Sequence, residues 1–123
     1  IAREVLDRWG IAPAETIFLD ASGLSRYDLI TPRAFVALLA QVYADDRLRE
    51  PFLASLPVAG RAGTLSQRMK GAAAEGTVRA KTGSYTNARA IAGFARTADG
   101  EPVAFSIAAN NYGVSSDAID RLS

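Results

Sequence analysis

Residues 77–110 read TVRAKTGSYTNARAIAGFARTADGEPVAFSIAAN, and this stretch decides the fold. From 77 to 81 the pattern alternates, with Val78 and Ala80 on one face and Arg79 and Lys81 on the other, the period-2 signature of a half-buried strand. A second strand is predicted over 88–97, rich in Ala and Gly. Ala98-Asp99-Gly100 is turn chemistry. A third strand is predicted over 102–110, with Val103, Phe105, Ile107 and Ala109 on one face. Three short strands joined by tight turns predict an antiparallel meander.

Working outward from the meander, the period changes to that of helices. Residues 1–9 read as the end of a helix, with Val5 and Trp9 on one face and Gly10 as its stop. A strand-like run covers 16–19, and residues 20–26 follow as a polar loop. Thr31-Pro32 is a helix start, a hydroxyl cap followed by proline at the first helical position. Phe35, Leu38, Leu39, Val42 and Tyr43 then form one apolar stripe. A second helix is predicted over 47–55, interrupted or kinked near Pro51. Residues 56–60 lead into a glycine-bearing loop, and Thr64 is expected to cap a short helix over 65–70. Ser115 or Ser116 is expected to cap a last helix containing Ala118, Ile119 and Leu122. Helices, then a meander, then a helix define an α+β fold, helices packed on an antiparallel sheet.

Composition excludes more than it suggests. The 123 residues are 49% hydrophobic and 22% charged with net charge +1, so one domain or a piece of one is expected. That charge gives no support to a nucleic-acid or membrane-surface module. No apolar run approaches the ~20 residues a membrane-spanning helix needs. With no His and no Cys, a Ser-His-Asp triad, a thiol nucleophile, a disulfide and a His or Cys metal site are all excluded from this chain. Acid–base chemistry is left to Lys, Asp, Glu or Tyr. The chain starts at Ile1 without Met or a signal segment and stops inside a predicted helix, so a fragment of a longer protein is expected.

Three segments are candidates for chemistry. Lys81-Thr82-Gly83 followed by Ser84, on a strand edge, offers an ammonium, a hydroxyl for a carboxylate, and a glycine that leaves room for a ligand along the strand. The Ser84 amide could then face a developing oxyanion. Taken alone, the triplet reads more readily as a solvated strand end running into a turn. Asp20-Ala21-Ser22-Gly23-Leu24-Ser25-Arg26 reads as a tight turn in which Asp and Ser side chains bond backbone amides, with Arg26 either a carboxylate clamp or a surface Arg. Leu56-Pro57-Val58-Ala59-Gly60, then Gly63-Thr64-Leu65 and Arg68, reads as a loop with no assigned chemistry.

In this order the segments resemble the class C low-molecular-mass penicillin-binding proteins, serine D-Ala-D-Ala carboxypeptidases and endopeptidases. The family's Asp-Gly-Ser-Gly-Leu-Ser-Arg stretch matches 20–26, with Ala21 in place of glycine. Its Leu-Pro-x-Ala-Gly loop, Gly-Thr-Leu and Arg match 56–60, 63–65 and Arg68. Its Ala-Lys-Thr-Gly-Ser/Thr matches 80–84, its Ala-Gly-aromatic matches 92–94, and its Ala-Phe-Ser strand with terminal Asn matches 104–110. The resemblance implies that residues 1–123 are the C-terminal portion of a penicillin-binding transpeptidase-like domain of the penicillin-binding-protein/β-lactamase-like fold. The family's other motifs, Ser-x-x-Lys and Ser-x-Asn, do not occur here: Ser66 and Lys70 are four apart, and Ser84 and Asn87 three apart. In the family both lie upstream of the 20–26 stretch, so truncation is expected.

The resemblance assigns Lys81, Thr82, Gly83 and Ser84 to the catalytic cleft. Lys81 sets the electrostatics, Thr82 binds the terminal D-alanine or β-lactam carboxylate, Gly83 leaves room for the acyl group, and the Ser84 amide is an oxyanion donor. It assigns Leu24, Ser25 and Arg26, with Tyr85 and Thr86, to a pocket for the peptidoglycan side chain. Peptidoglycan stem peptides and β-lactams are the implied partners, no metal or organic cofactor is implied, and a periplasmic or exported location follows. Glycine replaced at Ala21 implies a change in a turn that favours positive φ. The rival readings are a non-catalytic peptidoglycan- or partner-binding module and a serine β-lactamase.

Overall fold

The computed structural model describes residues 1–121; Leu122 and Ser123, expected in the last helix, lie outside the described residues. The first helix, α1 (Ala2–Arg8), turns back at Gly10 and buries Leu6 with Ile11 and Ala34. Arg3 reaches from it to the Thr16 carbonyl at 2.9 Å, fastening α1 to β1 (Thr16–Ile17). The strand-like run predicted over 16–19 is cut to two residues. Asp28 takes the amide of Leu19 at 2.7 Å, so a side chain replaces the ladder there. The partner of β1 is β2 (Leu29–Ile30), paired antiparallel Thr16↔Ile30 and Ile17↔Leu29, a strand the sequence did not announce.

The Thr31-Pro32 signature does start a helix. In α2 (Pro32–Ala44) the Thr31 hydroxyl accepts from the Ala34 amide at 3.1 Å, satisfying one of the amides a helix start leaves open. Of the predicted stripe, Leu39 and Val42 are buried, and Phe35, Leu38 and Tyr43 are half-buried. Asp45 caps α3 (Asp46–Ser55) through the Arg47 amide at 2.9 Å. This helix runs as one element through Pro51, so the predicted interruption is absent. Helix α3 also starts one residue earlier than expected.

The predicted helix over 65–70 does not form. A single 3-10 turn covers Gly63–Leu65, and Thr64 makes no cap. Gly63 (φ 62°) just before the segment and Met69 (φ 61°) within it are both left-handed, which breaks the helical run. The carbonyls of Leu65 and Arg68 instead accept from the Gly60 amide, both at 2.9 Å, which folds the loop back on itself.

The meander forms as read. Strands β3 (Arg79–Tyr85), β4 (Ala88–Arg96) and β5 (Pro102–Asn110) make a sheet in that order, all antiparallel, with Ala80↔Gly93 and Gly93↔Phe105 fixing the register. Gly93 is required by close approach. A Cβ there would stand 2.1 Å from the Arg79 carbonyl oxygen and 2.5 Å from Ala80 Cα. One face carries Val78, Ala80 and Ile91, packed with Ala59 and Leu65 of the preceding loop and with Phe105. The predicted apolar face of β5 is only partly covered, since Val103 and Ile107 remain 43% and 47% exposed. The opposite face turns Phe94 toward Tyr43 of α2 and Phe52 of α3, with ring centroids 5.4 and 6.4 Å apart. The last helix, α4 (Ser116–Asp120), is capped by Ser115.

Candidate active site

Strand β3 is an edge strand covered along only half its length. The Ala80 amide donates to the Pro57 carbonyl at 3.0 Å, and the Ala59 amide donates to the Val78 carbonyl at 3.0 Å. The loop predicted to carry no chemistry is therefore a short lid on the strand's first half. Alternate residues of a strand direct their backbone groups to the same edge, so the amides of Thr82 and Ser84 share the direction of Ala80. Beyond Ala80, among the described residues, nothing on the backbone pairs with that edge. The result is an open strand edge with two amides facing outward.

Side chains divide across this edge. Lys81, Gly83 and Tyr85 face the α2 side, and Thr82 and Ser84 face the other. On the α2 side the sheet carries Ala88, Ala90 and Ala92 of β4 and Ala108 of β5. A cleft of about 640 Å³ lies on this side, lined by these four alanines of the sheet and by Phe35, Leu38 and Leu39 of α2. Lys81, Thr82, Gly83, Ser84 and Tyr85 all line it. The Lys81 ammonium donates to the Thr82 carbonyl at 2.7 Å and forms no ion pair among the described residues. The Thr82 hydroxyl lies 3.1 Å from that of Thr64. Thr64 touches the site although its loop had no role in the sequence reading. The Gly-Thr-Leu match marked the segment without saying why.

The 20–28 loop folds by the hydrogen bonds its composition predicts. Asp20 accepts from the Ser22 amide and hydroxyl, each at 2.9 Å, and Ser22 accepts from the Leu24 amide at 3.0 Å. The two bonds from Ser22 hold the Asp20 carboxyl below its ordinary range. Ala21 does not take a positive φ: among the described residues, the non-glycines with positive φ are Met69, Asn87 and Asn111. The loop sets the Arg26 guanidinium 5.0 Å from the centre of the Tyr85 ring, a cation–π contact that joins it to the end of β3. Ser25, Arg26 and Tyr85 thus share the cleft. Leu24, 71% exposed, and Thr86, in the β3–β4 turn, lie outside its walls.

Lys-Thr-Gly, here on an exposed strand edge beside a cleft, is one of the motifs of penicillin-recognising serine enzymes. The known proteins this chain matches agree. Over 93% of its length it superposes on penicillin-binding protein 4 of Haemophilus influenzae with a TM-score of 0.82 and 32% identity, covering 25% of that chain. A form of the same protein complexed with a β-lactam matches at 0.81. A predatory endopeptidase of Bdellovibrio bacteriovorus shares the fold, with a TM-score of 0.64 at 18% identity. In sequence, a D-alanyl-D-alanine carboxypeptidase of Actinomadura is 41% identical over 114 residues, 89% of this chain and 21% of that protein. Residues 1–122 match the profile of the D-Ala-D-Ala carboxypeptidase 3 (S13) family, and the chain belongs to that family. It spans about a quarter or less of the length of these carboxypeptidase relatives. Among the described residues, no helix is long and apolar enough to cross a membrane.

Proposed function

We propose that this chain supplies the Lys-Thr-Gly wall and side-chain pocket of a serine-type D-alanyl-D-alanine carboxypeptidase/endopeptidase acting on peptidoglycan peptides. In this reading residues 1–123 are the C-terminal portion of the catalytic domain. The observation that carries it is the open half of β3, where Thr82 and Ser84 face outward beside the cleft and the Lys81 ammonium has no carboxylate partner among the described residues.

A peptide lying along that edge presents its terminal carboxylate to the Thr82 hydroxyl within the field of Lys81. Its scissile carbonyl oxygen meets the Ser84 amide, one of the two donors an oxyanion needs. A serine oxygen supplied from outside these residues attacks the carbonyl carbon, D-alanine leaves as the free amine, and water then cleaves the ester. Arg26, held by Tyr85, meets an acidic group on the stem-peptide side chain. Such a substrate lies outside the cytoplasmic membrane, so the site works in the periplasm or after export. The β-lactam reading of the cleft rests on the same carboxylate contact.

The chain alone contains neither Ser-x-x-Lys nor Ser-x-Asn. That observation favours, for the chain in isolation, binding without acylation. In an NMR titration, N-acetyl-D-alanyl-D-alanine is expected to shift the amides of Lys81 to Ser84, while fluorescent penicillin leaves no covalent label. Covalent capture of the penicillin, or shifts confined to residues remote from β3, would overturn the reading.

A further inference from the structure

We propose that Thr64 is a positioning residue that fixes the Thr82 hydroxyl for a ligand carboxylate; the proposal rests on the carboxylate role given to Thr82 above. Thr64 does not line the cleft, and its hydroxyl oxygen sits 3.1 Å behind that of Thr82. It is held rigidly. The 3-10 turn that carries it is anchored by fully buried Leu65, whose carbonyl accepts from the Gly60 amide at 2.9 Å. On the other side Gly63 sits in the left-handed region against Pro57, where a Cβ would come within 3.0 Å of the proline ring. Pro57 in turn accepts from the Ala80 amide, so the turn and β3 share one frame.

A threonine hydroxyl has one proton and two lone pairs. Without a ligand, the Thr82 hydroxyl donates to Thr64, which selects a single rotamer at Thr82. When a carboxylate arrives, Thr82 must turn its proton from Thr64 to the anion, which breaks the bond it donated to Thr64. Thr64 can reverse and donate to Thr82. The resulting chain, Thr64 O–H to Thr82 O–H to carboxylate, polarises each bond in the direction that strengthens the last one. Thr64 thereby tunes affinity for a carboxylate it never touches.

Thr64→Val removes the hydroxyl at nearly constant shape, and Thr64→Ser keeps it. In NMR titrations of the 123-residue chain with N-acetyl-D-alanine, Thr64→Val is expected to weaken binding about three- to tenfold, the range expected for one net hydrogen bond. Thr64→Ser is expected to restore it. N-acetyl-D-alanine amide, which lacks the anionic carboxylate, is expected to bind both variants and the parent alike. Equal affinity of Thr64→Val and the parent for the acid would overturn the Thr64 role while leaving Thr82 as the carboxylate ligand. No binding of the acid by the parent chain would remove the Thr82 reading and this one with it. The parent alone supplies a check that needs no variant to fold: three-bond couplings at Thr82 must report one rotamer, and averaged couplings would refute the fixed hydroxyl.

Discussion

Gly83 and Gly93 stand on adjacent strands of one sheet, yet substituting alanine at each should have opposite consequences. A Cβ built on Gly83 meets nothing nearer than Ala90 Cβ at 3.8 Å, an ordinary contact, and Gly83 is not in the left-handed region. The fold therefore has no need of glycine there. Gly83→Ala should stabilise the chain by about 0.4–1 kcal/mol, because alanine has less unfolded-state freedom to lose. For a chain of this length that raises Tm by about 2–5 °C. At Gly93 the same atom would lie 2.1 Å from the Arg79 oxygen and 2.5 Å from Ala80 Cα, both backbone, so β3 must be displaced. Overpacking against backbone should cost about 3 kcal/mol or more, a large share of the ~5–15 kcal/mol that holds a typical domain together. Urea titration followed through Trp9, the single tryptophan, reads both changes. The new methyl of Gly83→Ala projects to the α2 side, into the path of a ligand along the strand. The stabilised variant should therefore lose the N-acetyl-D-alanyl-D-alanine shifts at β3. Destabilisation of Gly83→Ala beyond about 1 kcal/mol would show that the glycine serves the fold. Retained binding would show that no ligand lies along this strand.

Two further outcomes follow from packing and charge. Leu65→Ala, in the fully buried cluster beneath the sheet, should cost about 2–5 kcal/mol in urea unfolding, and a loss under 1 kcal/mol would mean that the 56–70 loop is not anchored there. Asp45 is held at about 2 by the Arg47 side chain and amide, against an ordinary value of 3.8. A carboxyl depressed in the folded state lends stability above its unfolded pKa and loses it as pH falls through the folded one. The start of α3 should therefore weaken between about pH 4 and pH 2. An Asp45 carboxyl shift with its midpoint near 4 would contradict the pairing.

The meander was legible because its period is local. Val78 and Ala80 alternate with charged neighbours, and the strand limits over 88–96 and 102–110 fall within a residue of those predicted. The α2 start was legible for the same reason, since its cap is written in Thr31 and Pro32. What failed was non-local. The two residues of β2 are too few to carry a period, and they exist only because Thr16 and Ile17 pair with them. Leu65 to Lys70 has the look of a capped helix, but Gly60 claims its carbonyls from outside the segment. At the site, the sequence marks Lys81, Thr82 and Gly83 as a group on a strand edge but not how far that edge stays open, because this depends on where Pro57 stops covering β3.

The same asymmetry separates the residues that touch a ligand from those that aim them. A contact residue is constrained by chemistry, so its type is informative wherever it lies in the chain. Thr64 is constrained only by its distance to another hydroxyl 18 positions away, and a threonine in a glycine-bearing loop has many other uses. The short lid of residues 57–59 works in the same way. By pairing with Val78 and Ala80 it fixes the strand's height at the cleft, and by ending there it leaves Thr82 and Ser84 free. Extending that pairing by two residues, to bring a carbonyl opposite the Thr82 amide, would bury the edge that the proposed ligand requires, so where the lid ends decides whether β3 is a wall or a site.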